Sequence, residues 1–575
     1  MQYSKYQQDI FDFIRHGNGN AVISALAGSG KTFTLVSAVN LIPKRETCLF
    51  IAFNKSIVDE LTEKLNDKPN CTIKTMHSLG LSIIQKNIEG EIQLDEYKYV
   101  NYVRQNIKFL SRISEDDGLD ENEIDNYIER IISLINFSRL NLAQSLKEIR
   151  NVSENYSIPI EFDEDEVVRK CLEWGKKETS VIDYTDMVWF PYELSLKPIG
   201  NKYDWIFFDE CQDASLAGIK LFLRCFKRGT RFIAAGDKKQ CINMFAGACE
   251  ESFDYMCEYP NTKVFPLPIS YRCDRKIVEL ARNFVPDIMP RENAGEGVYK
   301  ENCSLYDSKD GDMILSRTKA PLYDAYIKLL KRGIKCYIKG NDGCDKLLDM
   351  VRRIECDELN SNIEKDGVFA RLYEYMFNER NRLLKSKGIT IEDATLSNHI
   401  MTIYDSITTL EILSEECSNS RDNLIELLEK INNSTAEGVC LSTIHKAKGL
   451  EADNVYILCR SSMPMAKAKK EWEKIEEVNL IYVAYTRAKH LLGLISEKEI
   501  VPSGRINTND SVTSDITLIE TKLSILLGRE LSVNINHDEL AKFRVKCATK
   551  IDDLHKNDNK IEDRKSGSAG MPRPI

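Results

Sequence analysis

A glycine-rich turn between an apolar segment and an apolar helical pattern constrains the fold of this chain more than any other stretch. Asn20-Ala-Val-Ile-Ser-Ala-Leu26 predicts a short buried strand, and the segment from Phe33 onward has the spacing of a helix. Ala27-Gly-Ser-Gly-Lys-Thr32 lies between them. A strand, a glycine-rich turn and a helix in this order are the context of a phosphate-binding P-loop. The sequence therefore predicts an α/β fold with a phosphate site at a strand end.

The residue types of this turn fit the binding of a polyphosphate. Gly28 and Gly30 allow backbone N–H groups to point at phosphate oxygens, and the following helix adds positive potential at its N-terminus. Lys31 would contact the β- and γ-phosphates, and the hydroxyl of Thr32 would bind Mg²⁺. The general pattern has a further glycine at the position of Ala25. A turn that binds nothing is the competing interpretation. The predicted ATP-binding residues are Ala27, Gly28, Ser29, Gly30, Lys31 and Thr32.

A P-loop enzyme needs a second, acidic motif, and one apolar segment provides it. Asp204-Trp-Ile-Phe-Phe-Asp-Glu210 predicts a buried strand that ends in two carboxylates. We expect Asp209 to bind Mg²⁺ together with Thr32, and Glu210 to act as the base toward an attacking water molecule. Asn54-Lys55 is followed by Ser-Ile and so does not form the Asn-Lys-x-Asp motif of GTPases. The expected cofactors are therefore ATP and Mg²⁺.

Composition limits the class of protein but does not identify a ligand. The 575 residues suffice for about three or four domains, and 42% of them are apolar. No run of about 18 apolar residues and no secretory signal occurs, so we expect no membrane partner and a cytoplasmic or, in a eukaryote, nuclear location. The 17 cysteines form no CxxC pair, which favours buried thiols in a reducing compartment. The net charge of −10 neither supports nor excludes a nucleic-acid partner.

Seven short motifs occur in an order that resembles the UvrD/Rep-like superfamily 1 DNA helicases. Each motif alone could be a surface pair or a turn without a function, but the whole set would rarely arise by chance. The segments Phe53–Ile57, Leu315–Thr318 and Asn479–Ala484 are similar to those of the F-box DNA helicase-like branch of this family. The resemblance implies only the motor part of these proteins. The motifs are the segment around Gln7, Phe53-Asn-Lys-Ser56, Thr75-Met-His-Ser-Leu-Gly80, Phe208-Asp-Glu-Cys-Gln-Asp213, Ser270-Tyr-Arg272, Leu441-Ser-Thr-Ile-His-Lys-Ala-Lys-Gly-Leu-Glu451 and Glu476-Glu-Val-Asn-Leu-Ile-Tyr-Val-Ala-Tyr-Thr-Arg-Ala488.

The resemblance implies roles for individual residues at the nucleotide. Gln7 corresponds to the glutamine that recognises adenine, and Tyr271 stacks on the same base. Arg272 and Arg487 reach the γ-phosphate, and Arg487 is the arginine finger. Glu451 lies near the ribose. Because both arginines lie far beyond the P-loop in the chain, ATP would sit between two motor domains whose closure drives translocation.

The stretch Gly236-Asp-Lys-Lys-Gln-Cys-Ile-Asn-Met-Phe-Ala-Gly-Ala248 is expected to face both ligands. The resemblance places Gln240 at the γ-phosphate and its attacking water, where an amide can donate and accept hydrogen bonds. It aligns Phe245 with an aromatic residue on which a DNA base stacks. Asn243 stands where a tyrosine is usual and Ala246 replaces an arginine, so we expect fewer coupling hydrogen bonds. The implied catalytic residues are Lys31, Asp209, Glu210, Gln240, Arg272 and Arg487.

The activity implied by the resemblance is an ATP-driven translocase on single-stranded DNA that unwinds duplexes at single-strand/double-strand junctions, moving 3′ to 5′. It would act in replication, repair or recombination, with protein partners from these processes or a nuclease. A translocase that strips proteins from DNA or serves a nuclease without strong unwinding is a close alternative, and a non-enzymatic scaffold a distant one. The implied DNA contacts are Phe53, Asn54, Lys55, Thr75, His77, Phe245, His445 and Lys446.

The order of the motifs also predicts the domain organisation. The expected architecture has two RecA-like P-loop motor domains, each interrupted by a largely helical inserted subdomain. The predicted segments are 1–85 and 180–270 for the first motor domain, 86–179 for its helical insert, 271–340 and 436–500 for the second motor domain, 341–435 for its accessory insert, and 501–575 for a partly disordered C-terminal extension.

Overall fold

Two six-stranded sheets organise the chain. The computed structural model describes residues 3–110, 121–156, 158, 160, 163–244, 247, 251–340, 342–360, 363, 365–384, 390–395, 397–433, 435–465, 470–500, 509–527 and 531. The chain forms two units. The first comprises Met1–Tyr299, Lys448–Asp453 and Lys470–Leu492, and the second comprises Lys300–Ala447, Asn454–Lys469 and Gly493–Ile575.

The elements are numbered in chain order. The strands are β1 (Asn20–Ala25), β2 (Cys48–Ala52), β3 (Cys71–Thr75), β4 (Gln93–Leu94), β5 (Val181–Ile182), β6 (Tyr203–Phe208), β7 (Phe226–Gly236), β8 (Thr262–Leu267), β9 (Ile269–Ser270), β10 (Met289–Pro290), β11 (Val298–Cys303), β12 (Met313–Ser316), β13 (Cys336–Ile338), β14 (Val439–Thr443), β15 (Ala452–Ile457) and β16 (Ala488–Ile495). The helices are α1 (Lys5–His16), α2 (Lys31–Val39), α3 (Lys55–Lys64), α4 (Met76–Ile84), α5 (Lys98–Leu110), α6 (Glu121–Leu140), α7 (Leu146–Tyr156), α8 (Glu164–Lys177), α9 (Tyr184–Glu193), α10 (Leu216–Arg224), α11 (Ser252–Glu258), α12 (Arg275–Ala281), α13 (Ala320–Lys331), α14 (Asp342–Arg352), α15 (Val368–Leu384), α16 (Ile391–Thr395), α17 (Asn398–Ser414), α18 (Arg421–Asn432), α19 (Glu471–Tyr485), α20 (Glu497–Ile500) and α21 (Asn509–Leu527).

The sheet of the first unit has the strand order β3-β2-β6-β7-β1-β8, and its neighbouring strands run parallel. Alternate residues of the four central strands β2, β6, β7 and β1 enter two different hydrophobic clusters. Phe50 packs with the apolar faces of α1, α2 and α3, whereas Leu49 and Ile51 pack with α4 and α10. Burial on both faces explains the nearly continuous apolar runs of these strands. Because the strands are parallel, the segments after β1, β6 and β7 leave the same edge of the sheet.

A helical insert lies in the chain between α4 and β6 of the first unit and contains α5, α6, α7 and α8. The next helix, α9, packs directly on α4. A Cβ atom added to Gly80 would lie 1.8 Å from the carbonyl oxygen of Met187, so only glycine permits this approach.

A buried charge cluster ties the insert to α9. Arg139 of α6 donates to Asp183 and to Asp186, each at 2.7 Å. Lys98 of α5 donates to Asp186 at 2.7 Å, and the hydroxyl of Tyr99 donates to the same carboxylate at 3.1 Å. Both lysine and arginine side chains are almost fully buried. Removing one member therefore leaves a charge that neither water nor a partner compensates.

Arg139→Met should lower the free energy of unfolding by about 3–5 kcal/mol, the range for breaking a buried ion pair. Urea unfolding followed by tryptophan fluorescence measures the loss. The control is Arg169→Met, since Arg169 pairs with the half-exposed Glu166 on the same helix. It should change stability by less than about 1 kcal/mol. Equal stability of the two variants would contradict the role given to the cluster.

The other six-stranded sheet has the strand order β11-β16-β15-β12-β14-β13. Its central strand β12 is parallel to β14 and to β15, and β13 is parallel to β14. The helices α14 to α18 lie in the chain between β13 and β14. Asp405 of α17 accepts the N–H groups of Lys319 and Ala320 at the start of α13, at 3.0 and 3.3 Å. The predicted class, α/β with parallel sheets and largely helical insertions, is confirmed.

The C-terminal extension contains the helix α21, which packs on α15. Arg380 and Glu520 form a two-armed ion pair between these helices at 3.1 and 2.6 Å. Both side chains are buried. Residues 501–508, 528–530 and 532–575 lie outside the described residues.

The 15 cysteines that the structure describes are free thiols, and most are buried. Across the described part of the chain, no helix combines the length and the apolar character needed to cross a membrane.

Candidate functional site

The loop that joins β1 to α2 forms a cradle for an anion. Gly28 and Gly30 have φ angles of 69° and 79°, in the left-handed region that glycine adopts without strain. A Cβ on Gly28 would lie 2.6 Å from the Cβ of Arg272, so the loop also needs glycine for close packing. The hydroxyl oxygen of Ser29 is buried and has no hydrogen-bond partner. A buried polar atom without a partner fits a site that a phosphate oxygen would complete.

Four side chains from the P-loop and the acidic motif meet at the carboxyl edge of the sheet. The ammonium group of Lys31 donates to the carboxylate of Glu210 at 2.8 Å. The hydroxyl of Thr32 donates to Asp209 at 2.8 Å. Glu210 has a φ of 53°, an uncommon backbone conformation for a residue with a side chain. Strain of this kind clusters at functional sites, where it positions a side chain.

The two adjacent carboxylates differ in their electrostatic environment. Burial alone would raise the pKa of Glu210, but the charges of Lys31 and Lys448 lower it to about 2. Burial and the neighbouring Glu210 carboxylate raise the pKa of Asp209 to about 6. Glu210 is therefore ionised at neutral pH. Asp209 and Thr32 offer the hard oxygen atoms that Mg²⁺ prefers, and they fit that ion together with oxygens of a bound phosphate.

Gln7 and Tyr271 were predicted to contact adenine, and the structure gives them different environments. The Gln7 side chain is buried, donates to the hydroxyl of Thr34 at 3.0 Å and accepts from the backbone N–H of Ser4 at 3.0 Å. Tyr271 is 40% exposed, which leaves part of its ring available for stacking. Gln7 is thus held in a fixed orientation beside α2.

Two arginines of the later motifs, Arg272 and Arg487, lie near the P-loop. Arg272 donates to Glu451 at 2.7 Å and to the carbonyl oxygen of Thr486 at 3.1 Å. Arg487 is buried and donates to the carbonyl oxygen of Leu450 at 3.2 Å. Burial and the positive charge of Arg272 lower the pKa of Arg487 to about 9. A buried guanidinium next to a second one is stabilised by an anionic ligand, so the pair suits a phosphate.

Gln240 connects these groups with the P-loop. It donates to Asp237 at 2.7 Å and accepts from Arg487 at 3.5 Å. Asp237 also accepts from the hydroxyl of Tyr482 at 3.3 Å, and that hydroxyl oxygen accepts from the backbone N–H of Ala27 at 2.9 Å. The sequence did not single out Tyr482, although it lies five residues before Arg487 in the same motif. Its hydroxyl connects the P-loop to Gln240 through Asp237.

The first group of predicted DNA contacts lies at the starts of α3 and α4. Phe53 is 47% exposed after β2, and Lys55 is exposed at the first position of α3. The Asn54 side chain accepts from the backbone N–H of Ile57 at 3.0 Å, and the Thr75 hydroxyl accepts from that of Ser78 at 3.1 Å. Asn54 and Thr75 therefore cap helices, a role that was not predicted from the sequence.

His77 lies beside Tyr184, an aromatic residue that was not predicted to contact DNA. Its ring and that of Tyr184 meet edge to face, with centroids 6.3 Å apart. Tyr184 is 52% exposed at the start of α9. Burial lowers the pKa of His77, against the opposing effect of Asp183, so the imidazole is neutral at neutral pH. The neutral imidazole cannot contribute a counter-charge for a phosphate, but it can donate a hydrogen bond.

The remaining predicted DNA contacts lie in the second unit or outside the described residues. His445 and Lys446 belong to the second unit, where the Lys446 ammonium donates to the carbonyl oxygen of Gly340 at 3.3 Å. Phe245 and Ala246 lie outside the described residues.

Comparison with known proteins gives concordant matches. The profile described as "UvrD/REP helicase N-terminal domain" matches residues 6–258, and "UvrD-like helicase C-terminal domain" matches residues 438–495. The chain is 26% identical over 503 residues to "F-box DNA helicase protein 1" of Schizosaccharomyces pombe, with coverage of 82% of this chain and 55% of that protein. It is 25% identical over 530 residues to "F-box DNA helicase 1" of Gallus gallus, with coverage of 83% and 48%. A "Probable DNA helicase II homolog" of Mycoplasma genitalium is 22% identical over 629 residues, with coverage of 88% and 87%. The chain spans about half the length of the two F-box relatives.

Proposed function

Because this chain belongs to the UvrD/Rep-like helicase family, we propose that it hydrolyses ATP to move along single-stranded DNA and to unwind duplexes at single-strand/double-strand junctions. The observation that carries this proposal is the convergence of Lys31, Asp209, Glu210 and Gln240 with Arg487 around the P-loop. A 3′-to-5′ direction, a role in replication, repair or recombination, and protein partners from these processes belong to the same proposal. They rest on the family resemblance.

The side chains of the site divide the work of phosphoryl transfer to water. Lys31 and the backbone N–H groups of the P-loop hold the phosphate chain, and Arg272 and Arg487 stabilise the negative charge that develops during transfer. Glu210 accepts the proton of the attacking water, and the Gln240 amide orients that water. Mg²⁺ held by Thr32 and Asp209 would neutralise phosphate charge when bound.

The proposed DNA surface of the first unit contains the exposed rings of Phe53 and Tyr184 together with His77 of α4. Aromatic side chains stack on bases of any sequence, which suits a translocating motor. Tyr184→Ala should weaken binding of a single-stranded oligonucleotide by about 1–3 kcal/mol, the value of one base stack. Fluorescence anisotropy at fixed salt measures the affinity. Tyr192→Ala at the other end of α9, 37% exposed, is the matched control and should leave it unchanged. Equal losses in both variants would exclude Tyr184 as a base contact.

Matched tailed duplexes distinguish the proposed helicase from the alternatives. ATP-dependent strand displacement from a 3′-tailed duplex, with little from the 5′-tailed equivalent, is the expected result. Hydrolysis stimulated by single strands without displacement of either duplex would favour the translocase that strips proteins from DNA or serves a nuclease. Strand binding without hydrolysis would favour the scaffold, which the retained Lys31–Glu210 contact argues against.

A further inference from the structure

A buried lysine lies between the exposed Phe53 and the acidic motif. The Lys448 ammonium donates to the carboxylate of Asp213 at 2.5 Å and to the carbonyl oxygen of Gln240 at 2.7 Å. It also lies 5.9 Å from the centroid of the Phe53 ring, within range of a cation–π contact. The side chains of Lys448 and Asp213 are 10% and 2% exposed. Lys448 therefore contacts both Phe53, a predicted DNA-binding residue, and Gln240, which is predicted to lie at the γ-phosphate.

Hydrogen bonds continue from Asp213 to the catalytic base. The amide of Gln212 donates to Asp213 at 3.2 Å and to Glu210 at 2.6 Å. Glu210 accepts in turn from Lys31 of the P-loop. Phe53 and the P-loop are thereby joined by an unbroken series of contacts within the first unit. Against the opposing effect of burial, the charge of Lys31 and then that of Lys448 lower the pKa of Glu210.

Asn243 holds Asp213 from another direction. Its amide donates to the second carboxylate oxygen at 3.2 Å. Asp213 thus accepts from Lys448, Gln212 and Asn243, and few of its lone pairs remain free. A buried ion pair contributes little net stability because desolvation offsets the attraction between its charges. Loss of one partner, however, leaves a buried charge without compensation. The pair therefore responds strongly when one of its partners changes, which suits it to transmitting the effect of a bound ligand.

We propose that Lys448 and Asp213 form a positioning pair through which a bound strand controls the catalytic base Glu210. This inference rests on the proposed function, since it assumes that Phe53 contacts single-stranded DNA. Phosphate oxygens of a strand at Phe53 compete with Asp213 for the Lys448 ammonium. When the hydrogen bond from Lys448 to Asp213 weakens, the Gln212 amide divides its two hydrogen bonds differently between Asp213 and Glu210. The position of the base Glu210 changes as a result. The strand thereby alters the rate of hydrolysis without contacting the nucleotide.

A double-mutant cycle tests the pair. The variants are Lys448→Met, Asp213→Asn and their combination, and the readout is kcat for ATP hydrolysis with saturating oligonucleotide divided by kcat without it. Each single change should lower this ratio by about tenfold or more, and the combination should lower it no further than the worse single change. The KM for ATP should stay within about twofold, because neither residue contacts the nucleotide. A wild-type ratio in the single variants, or losses that multiply in the combination, would overturn the proposal.

Two further variants keep the test decisive if a buried change prevents folding. Asn243→Ala removes one hydrogen bond to Asp213 and should lower the ratio by about two- to fivefold. Lys176→Met with Glu193→Gln removes an ion pair of 3.1 Å between α8 and α9, away from this series of contacts, and should leave the ratio unchanged. An undiminished ratio in Asn243→Ala, or an equal loss in the control, overturns the proposal. An unstimulated wild-type protein would instead refute the proposed function itself.

Discussion

Lys31→Ala should reduce single-strand-stimulated ATP hydrolysis by at least about 10²–10³-fold, the effect of removing one preorganised group that stabilises transition-state charge. The structure gives a physical reason beyond the motif. Carboxylates of Glu210, Asp209 and Asp237 surround the Lys31 ammonium and raise its pKa, against the opposing effect of burial. Without this positive charge, three acidic groups would face the phosphate chain. Phosphate release under steady-state conditions measures the loss.

The control for this variant is Lys276→Ala. Lys276 forms an exposed ion pair with Glu279 on α12, so its removal should leave hydrolysis and stability nearly unchanged. Wild-type hydrolysis in Lys31→Ala would show that the P-loop assignment is wrong. Equal losses in both variants would show that lysine substitutions act through protein stability.

Arg487→Ala should lower kcat by about 10³–10⁵-fold, the range for an arginine finger. The side chain is buried beside Gln240, and burial and the positive charge of Arg272 lower its pKa to about 9. Its contribution should appear in kcat far more than in the KM for ATP, because charge on the transferring phosphoryl group is stabilised only in the transition state. Steady-state kinetics over a range of ATP concentrations separate the two parameters.

A second arginine provides a matched control for Arg487. Arg231 also donates to backbone carbonyl oxygens, those of Gly19 and Ile14, but lies at the beginning of the core part of β7. Arg231→Ala should lower the thermal midpoint while leaving kcat nearly unchanged. An Arg487→Ala protein with wild-type kcat, or an Arg231→Ala protein with an equally low one, would contradict the assignment.

Residues that act through local geometry were predictable from the sequence. The P-loop and the Asp209-Glu210 pair each lie at the end of an apolar strand, so a short stretch specified both the element and the chemistry. Parallel strand order then brings these ends together at one edge. Asn54 and Thr75 show the limit of this reasoning, because a polar residue before a helix predicts a cap as well as a ligand contact. Both side chains form caps here.

Contacts between distant segments could not be predicted in the same way. Lys448 and Asp213 are 235 residues apart, and Tyr482 and Ala27 are 455 residues apart. In the sequence, the two residues of each pair belong to separate motifs, and nothing in either motif indicates that they are in contact. Asn243 was identified as a departure from the family pattern, but its partner Asp213 depends on how the stretch after β7 folds back on the acidic motif. Tertiary packing alone determines which polar side chains meet.

The rate of ATP hydrolysis with and without single-stranded DNA tests whether this protein is a motor driven by a single strand. We predict that an oligonucleotide without secondary structure raises the rate of phosphate release to a saturating value, and that a blunt duplex of the same sequence does so far less. Because contacts to phosphate dominate such binding, the oligonucleotide concentration for half-maximal stimulation should rise steeply with salt. A rate of hydrolysis that is the same with and without the single strand, at every salt concentration, would contradict the proposed function.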